Sequence, residues 1–149
     1  MPLRLEGMPA PERITVPHDD YHAEHVGRTA DGRQFFLTTP FEPGGNEYVA
    51  VFLWDAGGEF LEAKVDNFGP RETLDDAARR AARDARLLEL GDVSYGEIVV
   101  APFSVERFGS QIGLVPRPPE DEGDVWAVEL LPGNYMAFFE PWDSGDYDT

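Results

Sequence analysis

The sequence predicts an α+β fold: a mainly antiparallel sheet of consecutive β-hairpins, with one long amphipathic helix packed on one face. Short runs of β-branched and aromatic residues alternate with turn segments rich in Gly, Asp and Pro, which is typical of successive hairpins. A single segment, residues 73–90, repeats its apolar residues at helical spacing. We therefore expect one domain over residues 1–149, with about six to eight strands in its sheet.

The sheet is organised around one central hairpin. Residues 48–54 (YVAVFLW) form a continuous apolar run, and the turn sequence DAGG follows at 55–58. Residues 59–67 then alternate, with apolar side chains on one side and charged side chains on the other. A strand that is apolar on both faces lies inside a covered sheet, so the first strand should be central and the second half exposed.

The predicted helix begins at Thr73, a good N-cap, and ends at Leu90, before Gly91. Its apolar residues form one stripe, which we expect to pack on the sheet. The members of this stripe are Leu74, Ala77, Ala78, Ala81, Ala85 and Leu88. Across the whole fold, the predicted core includes Val51, Leu53, Leu61, Val65, Leu74, Ala81, Ala85 and Leu88.

The helix also carries the main basic cluster of the chain. Arg79, Arg80, Arg83 and Arg86 lie on or beside the face opposite the apolar stripe. Acidic residues stand four positions before Arg79 and Arg80, a spacing that favours ion pairs along a helix. We therefore interpret the arginines as a solvent-exposed, salt-bridged face rather than as a nucleic-acid or phosphate site.

Two segments are too rich in proline to form long regular elements. Residues 1–17 hold four prolines and predict an extended arm, in which residues 13–16 could add a short edge strand. Residues 116–124 combine prolines with acids, so we expect an acidic, Pro-rich loop there.

The composition is strongly acidic, with 29 Asp and Glu residues against 12 Lys and Arg and a formal net charge of −17. Such a charge repels phosphate backbones and anionic membranes, so we expect no nucleic-acid or membrane partner and favour a basic protein partner. The chain has no cysteine, which excludes disulfides, thiolate catalysis and Cys-ligated metals. The N-terminus lacks the apolar segment of a signal peptide, so a cytoplasmic location is expected.

The three histidines of the chain, His18, His22 and His25, fall close together in the sequence. On a helix they would share a face, as metal ligands do. Pro17 before them and a strand pattern after them favour a polar lead-in to the first strand instead. By residue type alone, the candidates to line a ligand pocket are His22, His25, Tyr135, Trp142 and Tyr147.

The C-terminal tail combines acids with aromatic residues. Asp143, Asp146 and Asp148 are candidate ligands for a hard cation, although their spacing is not that of an EF-hand loop. We expect Trp142 and Tyr147 to hold the tail against the domain, because burying two aromatic side chains offsets the entropy of ordering a short segment. The sequence shows no known catalytic motif, and we predict neither an enzymatic activity nor a cofactor.

Two segments of the N-terminal quarter carry a family resemblance: PERITVP at residues 11–17 and HVGRTADGRQFF at residues 25–36. They resemble the opening of a group of uncharacterised bacterial proteins labelled formate hydrogenlyase regulatory protein. This resemblance implies a transcriptional repressor. The charge of −17 and the lack of a recognition-helix pattern depart from that role and leave a regulator that acts without direct DNA contact.

The sequence favours a protein-binding or inhibitory module that caps a basic partner, as an immunity protein caps its toxin. The alternative is a domain that binds a small molecule or a metal, with the sheet forming the base of its pocket. This alternative covers a hydrolase. A deep pocket that holds two or more of the five candidate residues would favour this alternative, whereas a flat sheet face would count against it. The regulator without DNA contact is the third hypothesis.

Overall fold

The computed structural model describes residues 11–19, 23–133, 136–139 and 142, and the backbone of residues 145–147. It confirms an α+β protein whose strands pair in antiparallel fashion. The described strands are β1 (Ile14–Val16), β2 (His25–Thr29), β3 (Gln34–Thr38), β4 (Asn46–Trp54), β5 (Phe60–Pro70), β6 (Val93–Tyr95), β7 (Ile98–Val100), β8 (Phe103–Arg107), β9 (Ser110–Arg117), β10 (Ala127–Leu131), β11 (Met136–Phe138) and β12 (Gly145–Tyr147).

The described strands form two five-stranded sheets and a two-stranded ribbon, instead of the single sheet that the sequence predicts. The first sheet has the order β5-β4-β3-β2-β6, and the second sheet has the order β12-β11-β10-β9-β8. β1 and β7 pair as the ribbon. Most neighbouring strands follow one another in the chain, so each sheet is built largely from consecutive hairpins.

Strand β4 lies between β5 and β3 and is buried on both faces, as predicted. Tyr48, Phe52 and Trp54 belong to a core shared with the second sheet, whereas Val49 and Val51 belong to a cluster on the outer face. The first sheet therefore needs a cover on each side. The second sheet and the ribbon supply the shared core with Ile112, Leu114, Val128, Leu130, Met136, Phe138, Ile14, Val16, Ile98 and Val100.

The ribbon is fixed to the first sheet by two buried polar side chains. Gln34 on β3 donates from Nε2 to the Val99 carbonyl and accepts from the Val99 N–H, each at 2.9 Å. Trp54 donates from Nε1 to the Ala101 carbonyl at 2.9 Å. A glycine at position 58 permits this close approach, because a Cβ on Gly58 would meet the Val99 oxygen at 2.7 Å.

The helix α1 (Asp76–Glu89) begins later than predicted. Its N-cap is Asp75, whose carboxylate accepts a hydrogen bond from the Ala78 N–H at 3.0 Å. Thr73, the predicted N-cap, belongs instead to a 3₁₀ helix (Arg71–Thr73) that follows β5. No helix in the described part of the chain is long and apolar enough to cross a membrane.

The face of α1 that packs on the first sheet is not the predicted one. Ala81, Ala85 and Leu88 are exposed, and Leu88 retains 81% of its accessible surface. Leu87 and Leu90 reach the apolar cluster on the outer face of the sheet instead. The predicted burial of Ala81, Ala85 and Leu88 is therefore wrong. Of the other predicted core residues, Val51 and Leu53 are buried, Val65 and Leu74 are half-buried, and Leu61 is exposed.

Ion pairs explain the orientation of the helix. Arg79 donates to Glu47 Oε1 at 2.9 Å, and Arg86 donates from Nε to Asp66 Oδ2 at 2.9 Å. A buried carboxylate is costly without a cationic partner, so the arginines turn toward the sheet. Their aliphatic stems can then cover apolar residues of the sheet while the guanidinium groups reach the acids. The arginine face is salt-bridged as predicted, but Arg79, Arg83 and Arg86 are not fully exposed to solvent.

Three further predictions can be compared with the structure: the start of the acidic loop, the short strand in the Pro-rich arm and the packing of the tail. β9 continues to Arg117, so the acidic loop begins after that residue rather than at Pro116. β1 confirms the short strand expected within the Pro-rich arm. In the tail, β12 pairs with β11 and Trp142 packs against the shared core, so these parts of the tail contact the domain.

We expect Leu90→Ala to lower the free energy of unfolding by about 2–4 kcal/mol, because such a substitution leaves a cavity in a packed cluster. Leu90 is 8% exposed and lies in the cluster beneath the helix. Leu88→Ala is the matched control and should change the free energy by less than about 0.5 kcal/mol, since surface substitutions have small effects. Urea unfolding measures both, and equal losses would show that α1 packs through the Leu88 face.

Candidate functional site

Within the described residues, the structure does not bring the predicted pocket residues together. His25 begins β2 and lies opposite Leu37, a residue of the cluster on the outer face of the first sheet. Trp142 packs against the core between the two sheets, and Tyr147 pairs through its backbone in the second sheet. His25 and Trp142 therefore belong to different layers of the fold. The remaining candidates, His22 and Tyr135, lie outside the described residues.

The candidate cation ligands of the tail remain a prediction. Asp146 lies in β12, where its backbone pairs with Ala137, whereas Asp143 and Asp148 lie outside the described residues. Among the residues that the structure describes, no group of three or more His, Cys, Asp or Glu side chains is arranged to hold a metal ion.

Two of the histidines meet around Tyr95. The Tyr95 ring stacks on His18 with 5.6 Å between ring centroids, and its hydroxyl lies 3.5 Å from His25 Nδ1. Burial is the main cause that lowers the pKa of His25; Glu24 opposes this shift, and Arg83 on α1 adds to it. His25 is therefore held in its neutral form to a lower pH than an exposed histidine.

A cavity of about 330 Å³ lies where the loop before β4 meets the 3₁₀ helix. Its wall contains three carboxylates and one guanidinium group, so it is negatively charged overall. It also contains one aromatic ring and two glycines. The lining residues are Phe41, Glu42, Pro43, Gly44, Gly45, Glu47, Arg71 and Glu72.

Glu47 is the buried acid of this cavity and is only 4% exposed. Arg71 donates from Nε to Glu47 Oε2 at 2.6 Å, and Arg79 donates to Oε1 at 2.9 Å. The hydrogen bond to Glu47 is the main cause that raises the pKa of Arg71. The Arg71 guanidinium also lies over the Phe41 ring, 5.8 Å from its centroid, which is a cation–π distance. The ion pairs of Glu47 thus connect the first sheet with both α1 and the 3₁₀ helix.

Glu42, the second acid, joins the two sheets. The Ser110 hydroxyl at the start of β9 donates to its carboxylate, and the Tyr48 hydroxyl lies 3.1 Å from the other oxygen. The backbone N–H of Asn46 donates to the same carboxylate at 3.2 Å. These hydrogen bonds lower the pKa of Glu42 and stabilise its ionised form, and the bond from Ser110 makes the largest contribution. The exposed Phe108 ring stacks on Tyr48 from outside, with 6.2 Å between centroids.

Among the described residues, this cavity combines carboxylates with an aromatic ring, a lining that suits a cationic group. Glu42 and Glu47 are held by hydrogen-bond donors, and the exposed Glu72 adds a further negative charge. An ammonium or guanidinium group suits such a wall, because it can contact carboxylates and an aromatic ring at the same time. The cavity is of the size that takes a side chain rather than a large cofactor.

Sequence reasoning missed Glu47 as a functional residue, although a signal was present. Glu47 precedes the apolar run of β4 and shares a strand face with Val49 and Val51. A carboxylate on a covered strand face must find a cation. The nearest basic cluster in the sequence is that of α1, so the pairing of Glu47 with Arg79 could have been anticipated.

Comparisons of this chain with protein-family models, with curated proteins and with solved structures each give no match. The segments that resemble the formate hydrogenlyase regulatory group form β1, β2 and part of β3. They contribute to the ribbon and the first sheet, and none of their residues lines the cavity. That resemblance stays a prediction.

Glu47→Ala should lower the free energy of unfolding by about 3 kcal/mol, because it removes the buried carboxylate that Arg71 and Arg79 share. Arg79, whose side chain is 26% exposed, keeps only its pair with Asp76. Glu72→Ala is the matched control on the exposed rim and should change stability by less than about 0.5 kcal/mol. Chemical unfolding of both variants tests this, and equal stability would show that the Glu47 pairs contribute nothing.

The lowered pKa of His25 gives a pH dependence. Below about pH 6.5 the unfolded chain takes up a proton at this residue more readily than the folded chain, so stability should fall as the pH drops toward the folded-state pKa. His25→Gln should reduce that slope. Urea midpoints between about pH 7 and 5 measure it, and an unchanged slope in the variant would contradict the role of His25.

Proposed function

We propose that this protein is a binding module that captures a basic protein partner, in the manner of an inhibitory or immunity protein. The observation that supports this proposal most directly is that most of the positive charges that the structure describes are taken up by the protein's own carboxylates. Most of the described basic side chains form ion pairs within the chain. These are Arg13, Arg33, Lys64, Arg71, Arg79, Arg80, Arg83, Arg86 and Arg117.

This pairing decides which charges a partner meets. The chain has 29 acids against 12 basic residues, so many carboxylates remain after the cations are used. Glu62, Glu72, Asp92 and Glu97 are exposed examples on different elements. A surface of this kind accelerates the approach of a basic protein by electrostatic steering and opposes approach to phosphate or to anionic lipid.

The cavity beside the 3₁₀ helix supports the same proposal. Glu42 and Glu72 contribute negative charge to its wall, and Phe41 contributes an aromatic ring. A lysine or arginine side chain of a partner would find carboxylate and ring contacts there, as Arg71 does from within the chain. A basic residue docked in a small, partly desolvated pocket is a common anchor of protein interfaces.

The small-molecule alternative has less support. His25 and Trp142 lie in different layers of the fold, and neither of these two described candidates lines the cavity. The regulatory alternative remains compatible with protein binding, since a regulator that makes no direct DNA contact would act through a protein partner.

The proposal predicts salt-sensitive binding to basic polypeptides and no binding to duplex DNA. Titration of the protein into a fluorescent lysine-rich peptide should give a complex at about 50 mM salt that weakens at least tenfold by about 300 mM salt, because screening shortens the range of the attraction. A glutamate-rich peptide and a random DNA duplex are the controls. Failure to bind the basic peptide at low salt, or a DNA complex of similar affinity, would overturn the proposal.

A further inference from the structure

The Arg71 guanidinium group contacts the wall of the cavity as a bound ligand would. It donates from Nε to Glu47 Oε2 at 2.6 Å and lies over the Phe41 ring, 5.8 Å from the ring centroid. A carboxylate and the face of an aromatic ring are the groups that bind a guanidinium group best in proteins. An arginine of this chain therefore already shows which chemical group the cavity wall can bind.

This internal arginine is held only at the surface. Its side chain is 72% exposed, and it begins a three-residue 3₁₀ helix in which no residue is buried. An ion pair of so exposed a side chain contributes little to stability, because water competes for both charges. If Arg71 moves away, the exposed Glu72 next to it still attracts its charge, and Glu47 keeps Arg79 at 2.9 Å. Arg71 can therefore leave the cavity wall without leaving a buried charge unpaired.

A guanidinium group that enters from a partner would gain a contact that the internal arginine lacks. Glu42 accepts hydrogen bonds from the Ser110 hydroxyl, the Tyr48 hydroxyl and the Asn46 N–H, and all three donors are neutral. Within the described residues, Glu42 thus stays ionised and forms no ion pair. A cation in the cavity of about 330 Å³ would meet this carboxylate as well as Glu47.

We infer that Arg71 is an internal competitor for this cavity, and that an arginine of the protein partner displaces it. The entering guanidinium group would contact Phe41, Glu42 and Glu47. Arginine suits the site better than lysine, because its planar group stacks on a ring while its several N–H groups reach two carboxylates. The inference rests on the proposed function and names the residue that the cavity recognises. In the free protein, Arg71 lowers the apparent affinity of the site by filling it.

Arg71→Ala tests the competition, because it should tighten binding, whereas damage to a binding surface weakens it. Arg33→Ala is the matched control: it removes the same charge from an arginine that also pairs with an acid, at the end of the first sheet remote from the cavity. The probes are two synthetic peptides of equal length and charge, one with arginine and one with lysine as its basic residue. Arg71→Ala should tighten binding of the arginine peptide by about fivefold or more, and Arg33→Ala should change it by less than about twofold. The gain with the lysine peptide should be smaller.

A double variant, Arg71→Ala with Phe41→Leu, separates displacement from simple repulsion. If the entering guanidinium group takes the place of Arg71 on the ring, the loss of the ring should cancel the gain in affinity for the arginine peptide. If Arg71 only repels cations from a distance, the double variant would keep the gain, and the inference would be wrong. Circular dichroism and urea unfolding establish that each variant is folded.

The outcomes distinguish this inference from the proposed function. An absent gain with Arg71→Ala, or an equal gain with Arg33→Ala, would overturn the internal competitor while binding of a basic partner stands. Equal gains for the arginine and lysine peptides would overturn the preference for a guanidinium group. Absence of binding by the wild-type protein and by every variant at low salt would overturn the proposed function itself.

Discussion

Strand β4 imposes the constraint on which the rest of the structure depends. It is apolar on both faces, so it can be stable only inside a sheet that is covered on both sides. The second sheet and the ribbon supply one cover by packing against Tyr48, Phe52 and Trp54. The other face holds Val49 and Val51 and is covered by α1. The three layers follow from this single strand.

The outer cover is formed by charge as much as by apolar contact. Glu47 lies on the same face of β4 as Val49, and a carboxylate with 4% exposure requires cationic partners. Arg79 supplies one from α1 and Arg71 supplies another from the 3₁₀ helix. Leaving alanines in water costs little, whereas leaving a buried carboxylate unpaired costs several kcal/mol. The helix therefore turns Arg79 and Arg86 toward the sheet and its apolar stripe outward.

The same ion pairs connect the fold to the proposed function. By using most of the described basic side chains internally, they leave a surface on which carboxylates predominate. They also place Arg71 at the edge of the cavity, beside the exposed Glu72. A protein that binds a basic partner benefits from both consequences, because electrostatic steering and an acidic pocket act on the same kind of ligand.

The sequence by itself determined the α+β class, the hairpin pattern and the doubly buried β4, because strand periodicity and turn residues are local properties of the chain. It also located the helix to within a few residues and identified its arginines as salt-bridged. Only the tertiary structure decided that the strands divide into two sheets, since local patterns do not specify which hairpins share a sheet. It likewise decided which face of α1 meets the sheet. The apolar stripe from Leu74 to Leu88 predicted the wrong face, because the buried Glu47 pairs with Arg79, which lies 32 residues away in the chain. This long-range electrostatic requirement is not contained in helical periodicity.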